Sequence, residues 1–288
     1  MPHSEEFITV SGAQIRVLRS GRADAQPLVF LHGAGGHTGW MGFLDALAQD
    51  FAVYAPEHPG FGRSDDPPWL DEVGDLAYFY LDFLRALGLE RMHLIGTSLG
   101  GWIAAELAVR DSARLASLTL VGAVGITTGG EPIDDIFRIP VDENLRRFYA
   151  DPERAARRLG DMAKIDMSLA AKNRATVTRL AYRPRFHNPN LAKWLHRIAV
   201  PTLLVWGDKD GLVPPRFGEA YRDLIPGSRL VVLDNAGHAP FDEQKDAFLA
   251  AFRDFLRGQD GLESHPFNRL HDTARPACSV HRRRALTR

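Results

Sequence analysis

Eight short runs rich in apolar, β-branched and aromatic residues recur along the chain, at 7–10, 14–18, 28–31, 52–55, 92–95, 115–121, 202–206 and 229–233. Longer stretches with helical patterning separate most of them. This alternation predicts an α/β fold, a mostly parallel sheet with helices on both faces. The first two runs, joined through Ser11-Gly12-Ala13, predict an antiparallel hairpin at the sheet edge. Leu28-Val29-Phe30-Leu31 and Leu203-Leu204-Val205-Trp206 are apolar throughout, as central parallel strands are.

The strand rhythm stops between Val124 and Ala199, where polar helix-like segments take over, among them 143–162 and 168–181. Beyond Leu256 the chain changes again. Gly258-Gln259-Asp260-Gly261 leads into a Ser-, His- and Arg-rich stretch that ends in Arg282-Arg283-Arg284-Ala285-Leu286-Thr287-Arg288. From 258 onward six arginines face three acidic residues, and a disordered basic tail over 258–288 is expected.

Composition narrows the class. With 288 residues, 45% hydrophobic, 25% charged and a net charge of -1, this is an ordinary globular composition able to build one sizeable core. The near-neutral balance argues against a nucleic-acid binder, which carries a basic face. No uninterrupted apolar stretch approaches the roughly 18 residues of a membrane span. Met1-Pro2-His3-Ser4-Glu5-Glu6 offers no basic segment before an apolar core, so no secretory signal is expected and a cytoplasmic enzyme is. The single cysteine, Cys278, has no intrachain disulfide partner.

Open parallel sheets bind ligands beyond the carboxyl ends of their strands, which directs attention to the residues after each run. Gly96-Thr97-Ser98-Leu99-Gly100 follows the run at 92–95 and precedes an Ala- and Leu-rich helical stretch at 101–108. It reads as a nucleophile elbow, in which a serine stands on a tight strand-to-helix turn and flanking glycines let the backbones approach. The helix N-terminus favours developing negative charge there. Alone the pattern is weak, because an ordinary glycine turn reads the same way. Other strand ends add weight: His32-Gly33-Ala34-Gly35-Gly36 follows the third run, and Pro56-Glu57-His58-Pro59-Gly60-Phe61-Gly62-Arg63-Ser64 the fourth. Gly207-Asp208-Lys209-Asp210 follows the seventh and Asp234-Asn235-Ala236-Gly237-His238 the last.

With these five motifs and the order Ser, Asp, His, the chain resembles an α/β-hydrolase-fold enzyme of the capped serine esterase and carbon–carbon bond hydrolase branch. The resemblance implies Ser98 as nucleophile and His238 as general base and acid. Asp210 would fix the imidazole tautomer and stabilise the imidazolium. Asp208 and Asp234 compete for that role, and the spacing before Val213-Pro214 favours Asp210. The oxyanion donors would be the backbone N–H groups of Leu99 and Ala34, with Gly35 the next choice. The resemblance also implies a core of residues 1–124 and 199–257 with a helical cap at 125–198. Phe137, Ile139, Phe148, Tyr149, Met162, Met167 and Trp194 are candidates for lining the pocket beneath the cap, or for plain packing.

His32 is read as a brace for the oxyanion loop, and His58 and Arg63 as holding their own loop or touching substrate. No His-Glu-x-x-His pair is present, and the loop at Gly33 to Gly36 lacks the Lys-Ser/Thr of a phosphate loop, so neither metal nor cofactor is expected. The expected reaction is hydrolysis of a carboxylic ester through an acyl-enzyme. The expected partner is a small-molecule acyl substrate, with no nucleic acid and no membrane, acting on a monomer or homodimer. Asn173-Arg174-Ala175-Thr176 and Arg183-Pro184-Arg185 faintly resemble hydrolases that cleave carbon–carbon bonds in ring-fission dienoates. Those enzymes carry a Trp after the catalytic His, whereas Ala239 follows His238 here. A small-molecule receptor on the same fold is a third reading, against which the intact Ser98, Asp210 and His238 argue.

Overall fold

The computed structural model describes residues 3–263 except 38, 130–132, 134 and 165. Among them eight strands form one sheet: β1 (Ser4–Val10), β2 (Ala13–Ser20), β3 (Pro27–Leu31), β4 (Ala52–Pro56), β5 (Met92–Thr97), β6 (Leu115–Val121), β7 (Thr202–Gly207) and β8 (Arg229–Leu233). Each anticipated run lies in one of them. Their order across the sheet is β1-β2-β4-β3-β5-β6-β7-β8. β1 and β2 form the edge hairpin, and β2 also pairs antiparallel with β4. Every later pairing is parallel. The hairpin closes through Ser11 and Gly12 at φ 50° and 78°, the two positive angles that a tight two-residue turn needs.

Nine α-helices accompany the sheet among the described residues: α1 (Gly42–Leu47), α2 (Val73–Ala86), α3 (Leu99–Arg110), α4 (Val141–Phe148), α5 (Pro152–Asp161), α6 (Met167–Ala181), α7 (Arg216–Leu224), α8 (Pro240–Glu243) and α9 (Lys245–Glu263). The two-residue period of the strands sorts side chains into two cores. Val29, Leu31, Leu94, Leu118, Leu120, Leu204 and Trp206 join the apolar faces of α2, α3 and α7. Leu28, Phe30, Ile95, Val121, Leu203 and Val205 join those of α1, α8 and α9. None of these helices is long and apolar enough to cross a membrane.

Two boundaries differ from the sequence reading. The polar segment at 143–162 is not one helix: α4 ends at Phe148 and α5 begins at Pro152. Proline disfavours helix in the residue before it and suits the first helical position, and the Asp151 carboxylate caps the new start by accepting from Glu153 N at 2.9 Å. At the other boundary, α9 passes Gly258 and Gly261 and runs to Glu263. A glycine in a helix costs only about 1 kcal/mol, and α9 is anchored upstream by buried Phe248, Leu249, Phe252 and Phe255. The rest of the anticipated tail, with Cys278, lies outside the described residues.

Candidate active site

The sharpest backbone feature follows β5. Ser98 sits at φ 53° and ψ -114° immediately before the first residue of α3, a region that costs a non-glycine residue on the order of 1–3 kcal/mol. Surrounding contacts hold it there. Ser98 N donates to Val121 O at 2.9 Å, and its carbonyl accepts from Trp102 N at 3.1 Å and Val124 N at 3.3 Å. Crowding explains the flanking residues: a Cβ at Gly96 would collide with the carbonyl of Gly100, and one at Gly100 with the carbonyls of Leu31 and His32. At Gly101 a Cβ would lie 2.6 Å from that of Ala123. The motif is thus a steric requirement of the strand-to-helix turn, and it leaves Ser98 half-buried at the end of the sheet.

The anticipated acid and base meet at the neighbouring strand ends. Asp210, after β7, and His238, after β8, are both 4% exposed, and Asp210 Oδ2 lies 2.8 Å from His238 Nδ1. The other carboxylate oxygen accepts from Leu212 N at 3.0 Å and Val213 N at 2.8 Å, which fixes the plane of the acid. Gly122, at φ 52°, lies next to Val121, whose carbonyl holds Ser98; a Cβ at Gly122 would sit 3.1 Å from His238 Nδ1 and 3.4 Å from Asp210 Oδ2. Ser98, Asp210 and His238 therefore converge on the carboxyl end of β6. The two rival acids are exposed. Asp208 instead accepts from Ala236 N at 3.1 Å, within the histidine loop.

The loop after β3 approaches Ser98 from the other side. A Cβ at Gly33 would lie 3.3 Å from Ser98 Cβ and 3.9 Å from its Oγ. Gly36 N donates to Gly33 O at 3.1 Å, so Ala34 and Gly35 occupy the centre of a turn whose closing bond leaves their amides unused. Leu99 is the first residue of α3, where helical amides have no partner within the helix.

Behind this loop two buried histidines interlock, with ring centroids 3.7 Å apart. His58 N donates to His32 Nε2 at 3.0 Å, so the His32 proton resides on Nδ1, which donates to Gly33 O at 2.8 Å. His58 Nε2 donates to His32 O at 2.9 Å, which leaves its Nδ1 to accept from Tyr80 Oη. Each acceptor dictates one neutral tautomer. Burial, aided by the rings of His58 and His37, pushes His32 well below the ordinary imidazole range, and burial takes His58 down to about 3. Burial also raises Tyr80 well above the usual phenol range, keeping it a donor. His32 thus braces its loop. Arg63 turns away, its guanidinium paired with Glu5 while its amide donates to Glu57 Oε2 at 2.7 Å.

Residues 125–198 touch the site through unforeseen atoms. Phe148 O accepts from His238 N at 2.7 Å and Arg147 O from Gly211 N at 3.1 Å, so one stretch of backbone holds both the histidine and acid loops. The Phe148 ring packs edge-on to His238 with centroids 5.2 Å apart. Glu243 in α8 adds a clamp, its carboxylate accepting from Gly237 N (2.6 Å), Ala150 N (2.8 Å) and Asp151 N (3.2 Å). No motif marked Glu243, Gly122 or the Phe148 carbonyl in the sequence. Of the other pocket candidates, Phe137 stacks on Phe186 at 5.7 Å, and Met167 and Trp194 are exposed.

Residues 28–251 match the family model described as Alpha/beta hydrolase family. A 2-hydroxy-6-oxononadienedioate/2-hydroxy-6-oxononatrienedioate hydrolase of Pseudomonas putida is 31% identical over 256 residues, 81% of this chain and 88% of that protein. A pimeloyl-[acyl-carrier protein] methyl ester esterase of Neisseria meningitidis is 28% identical, covering 90% of this chain and 85% of its own. Among solved structures, a bacterial membrane phospholipase A superposes with a TM-score of 0.75 at 28% identity, over 91% of this chain and 87% of that one.

Proposed function

Because the chain belongs to the alpha/beta hydrolase family, we propose that it is a serine hydrolase acting on a carboxylic ester through Ser98, His238 and Asp210. The observation that carries this reading is the buried 2.8 Å contact between Asp210 Oδ2 and His238 Nδ1 beside the strained Ser98 turn. In the proposed sequence His238 Nε2 takes the Ser98 hydroxyl proton as Oγ bonds to the acyl carbon. Asp210 accepts from Nδ1–H and stabilises the imidazolium. The tetrahedral oxyanion takes hydrogen bonds from Leu99 N–H and Ala34 N–H, and its collapse expels the alcohol with the proton held by His238. Water, activated by the same histidine, then releases the acid. Residues 125–198 act as a cap whose segment 147–151 roofs the base. The protein works as a monomer or homodimer in the cytoplasm, on a small acyl substrate.

A second reading, cleavage of a carbon–carbon bond in a ring-fission dienoate, is favoured by the likeness to the Pseudomonas putida hydrolase. The ester reading is preferred because the esterase from Neisseria meningitidis matches over as much of the chain, and because Ala239 follows His238. The test measures kcat/KM for short p-nitrophenyl esters of increasing acyl length beside a ring-fission dienoate, with Ser98→Ala as control. Ester turnover that falls at least about 10³-fold in the variant is expected. Comparable turnover by the variant sinks the hydrolase reading, and a large preference for the dienoate replaces the ester with the carbon–carbon bond.

A further inference from the structure

Helix α6 makes polar contacts with the loops after β3 and β4 through Lys172, Asn173, Thr176 and Arg179. Three of these find their polar partners in the loop after β4. Lys172 Nζ donates to Gly62 O (3.0 Å) and Ser64 O (2.6 Å), Thr176 Oγ1 to Gly60 O (2.6 Å), and Arg179 pairs with Asp66. Asn173 differs by spanning two loops. Its Oδ1 accepts from Gly62 N at 2.7 Å, and its Nδ2 donates to Gly35 O at 3.1 Å, in the turn that approaches Ser98.

Local sequence gives that turn little rigidity. Gly35 and Gly36 bring wide backbone freedom, and Gly36 uses it at φ 80°. The direction of the Ala34 and Gly35 amides depends on how the whole turn is tilted. A hydrogen bond to the Gly35 carbonyl fixes the next peptide plane, and the Asn173 amide packs so closely that a Cβ at Gly36 would collide with Nδ2. Asparagine suits the task because one rigid plane carries both an acceptor, used by Gly62, and a donor, used by Gly35. We infer that Asn173 is a positioning residue for the oxyanion loop, so that seating of the cap and alignment of the Ala34 amide are one event. The inference rests on the hydrolase reading given under Proposed function.

The test uses the full chain with Asn173→Ala, Asn173→Asp and, as comparator, Lys172→Met, which removes a cap contact that does not reach the oxyanion loop. Each is assayed for kcat and KM on p-nitrophenyl acetate, for Ki of an alkyl trifluoromethyl ketone, and for Tm. In the ketone adduct Ser98 Oγ bonds to the carbonyl carbon, the π pair moves onto oxygen as the oxyanion, and the hydroxyl proton passes to His238. The ketone therefore reports the oxyanion donors directly. Both Asn173 variants are expected to lose about 10- to 100-fold in kcat, the effect of a small misalignment, with Ki rising by a similar factor and KM within about threefold. Lys172→Met keeps both within about twofold. Should Asn173→Ala lower Tm sharply, Asn173→Asp decides, since it keeps an acceptor for Gly62 and replaces the donor to Gly35 with a carboxylate oxygen that repels the Gly35 carbonyl. Wild-type kcat and Ki in the Asn173 variants overturn the inference, as does an equal loss in Lys172→Met. A wild type that neither hydrolyses the ester nor takes up the ketone removes the hydrolase reading itself.

Discussion

Helices α3 and α4 show two ways of holding a helix in one chain. Eleven of the twelve residues of α3 are buried, and its glycines are there because the carbonyls of Leu31 and His32 crowd Gly100 and Ala123 crowds Gly101, leaving no space for a side chain. In α4 no residue is buried, and along its exposed side Arg146 pairs with Asp142 at 2.7 Å and Arg147 with Glu143. Further along 125–198, α5 buries only Ala155. What ties α4 and α5 to the site loops is a small set of hydrogen bonds: His238 N to Phe148 O, and the Ala150 and Asp151 amides to the Glu243 clamp. The sheet and its helices are therefore stabilised by packed volume, to which α6 adds Val177, Leu180 and Ala181, whereas α4 and α5 bury almost nothing and meet the core through polar contacts at their inner border.

The widest gap between the two regions is expected at Gly100. Gly100→Val drives Cβ into the carbonyls of Leu31 and His32 and should cost about 3 kcal/mol or more by overpacking. A urea midpoint equal to wild type would break the contrast at its base. Acid titration probes the core next. His58 folds with its pKa lowered from 6.5 to about 3, so the unfolded chain binds the proton first. The associated stability is complete above about pH 6.5 and is lost as pH falls toward 3, roughly 2 kcal/mol of it by pH 5. Urea unfolding at pH 7 and pH 5 gives the difference, and a flat profile refutes it. A smaller loss is expected at the junction: Glu243→Ala strips three amides of their acceptor, costing about 1–2 kcal/mol and lowering kcat by loosening the His238 loop. An unchanged kcat would separate the clamp from the base. Smallest of all, Arg146→Ala removes an exposed pair on α4 and should change stability by less than about 0.5 kcal/mol; a larger drop in Tm would mean that the insertion depends on its surface charges.

The same contrast explains what could be read from the sequence. Strands β3 to β7, buried on both faces, leave continuous apolar runs. The hairpin strands β1 and β2 and the edge strand β8 show through β-branched and aliphatic residues such as Ile8, Ile15 and Val231, and the elbow was legible because crowding writes itself as Gly96 and Gly100. His238 and Asp210 stood out because each follows a strand in a recognisable motif, and the structure brings the two within hydrogen-bond distance of each other. The Phe148 carbonyl was invisible because any residue supplies a carbonyl, and its partner lies 90 positions away. Glu243 is invisible for a similar reason, because nothing in Pro240-Phe241-Asp242-Glu243 shows that this carboxylate reaches the amides of Ala150 and Asp151, more than 90 positions away. Asn173 stood in a motif that drew notice, but nothing local announced that its amide would reach Gly35.

The bonds from His238 N to Phe148 O and from Gly211 N to Arg147 O use main-chain atoms on both sides. Substitution of the side chains at 147 and 148 leaves those bonds in place. Positions 147 and 148 can therefore change their side chains while the segment stays attached to the loops of His238 and Asp210, a tolerance to drift that a side-chain contact would not allow.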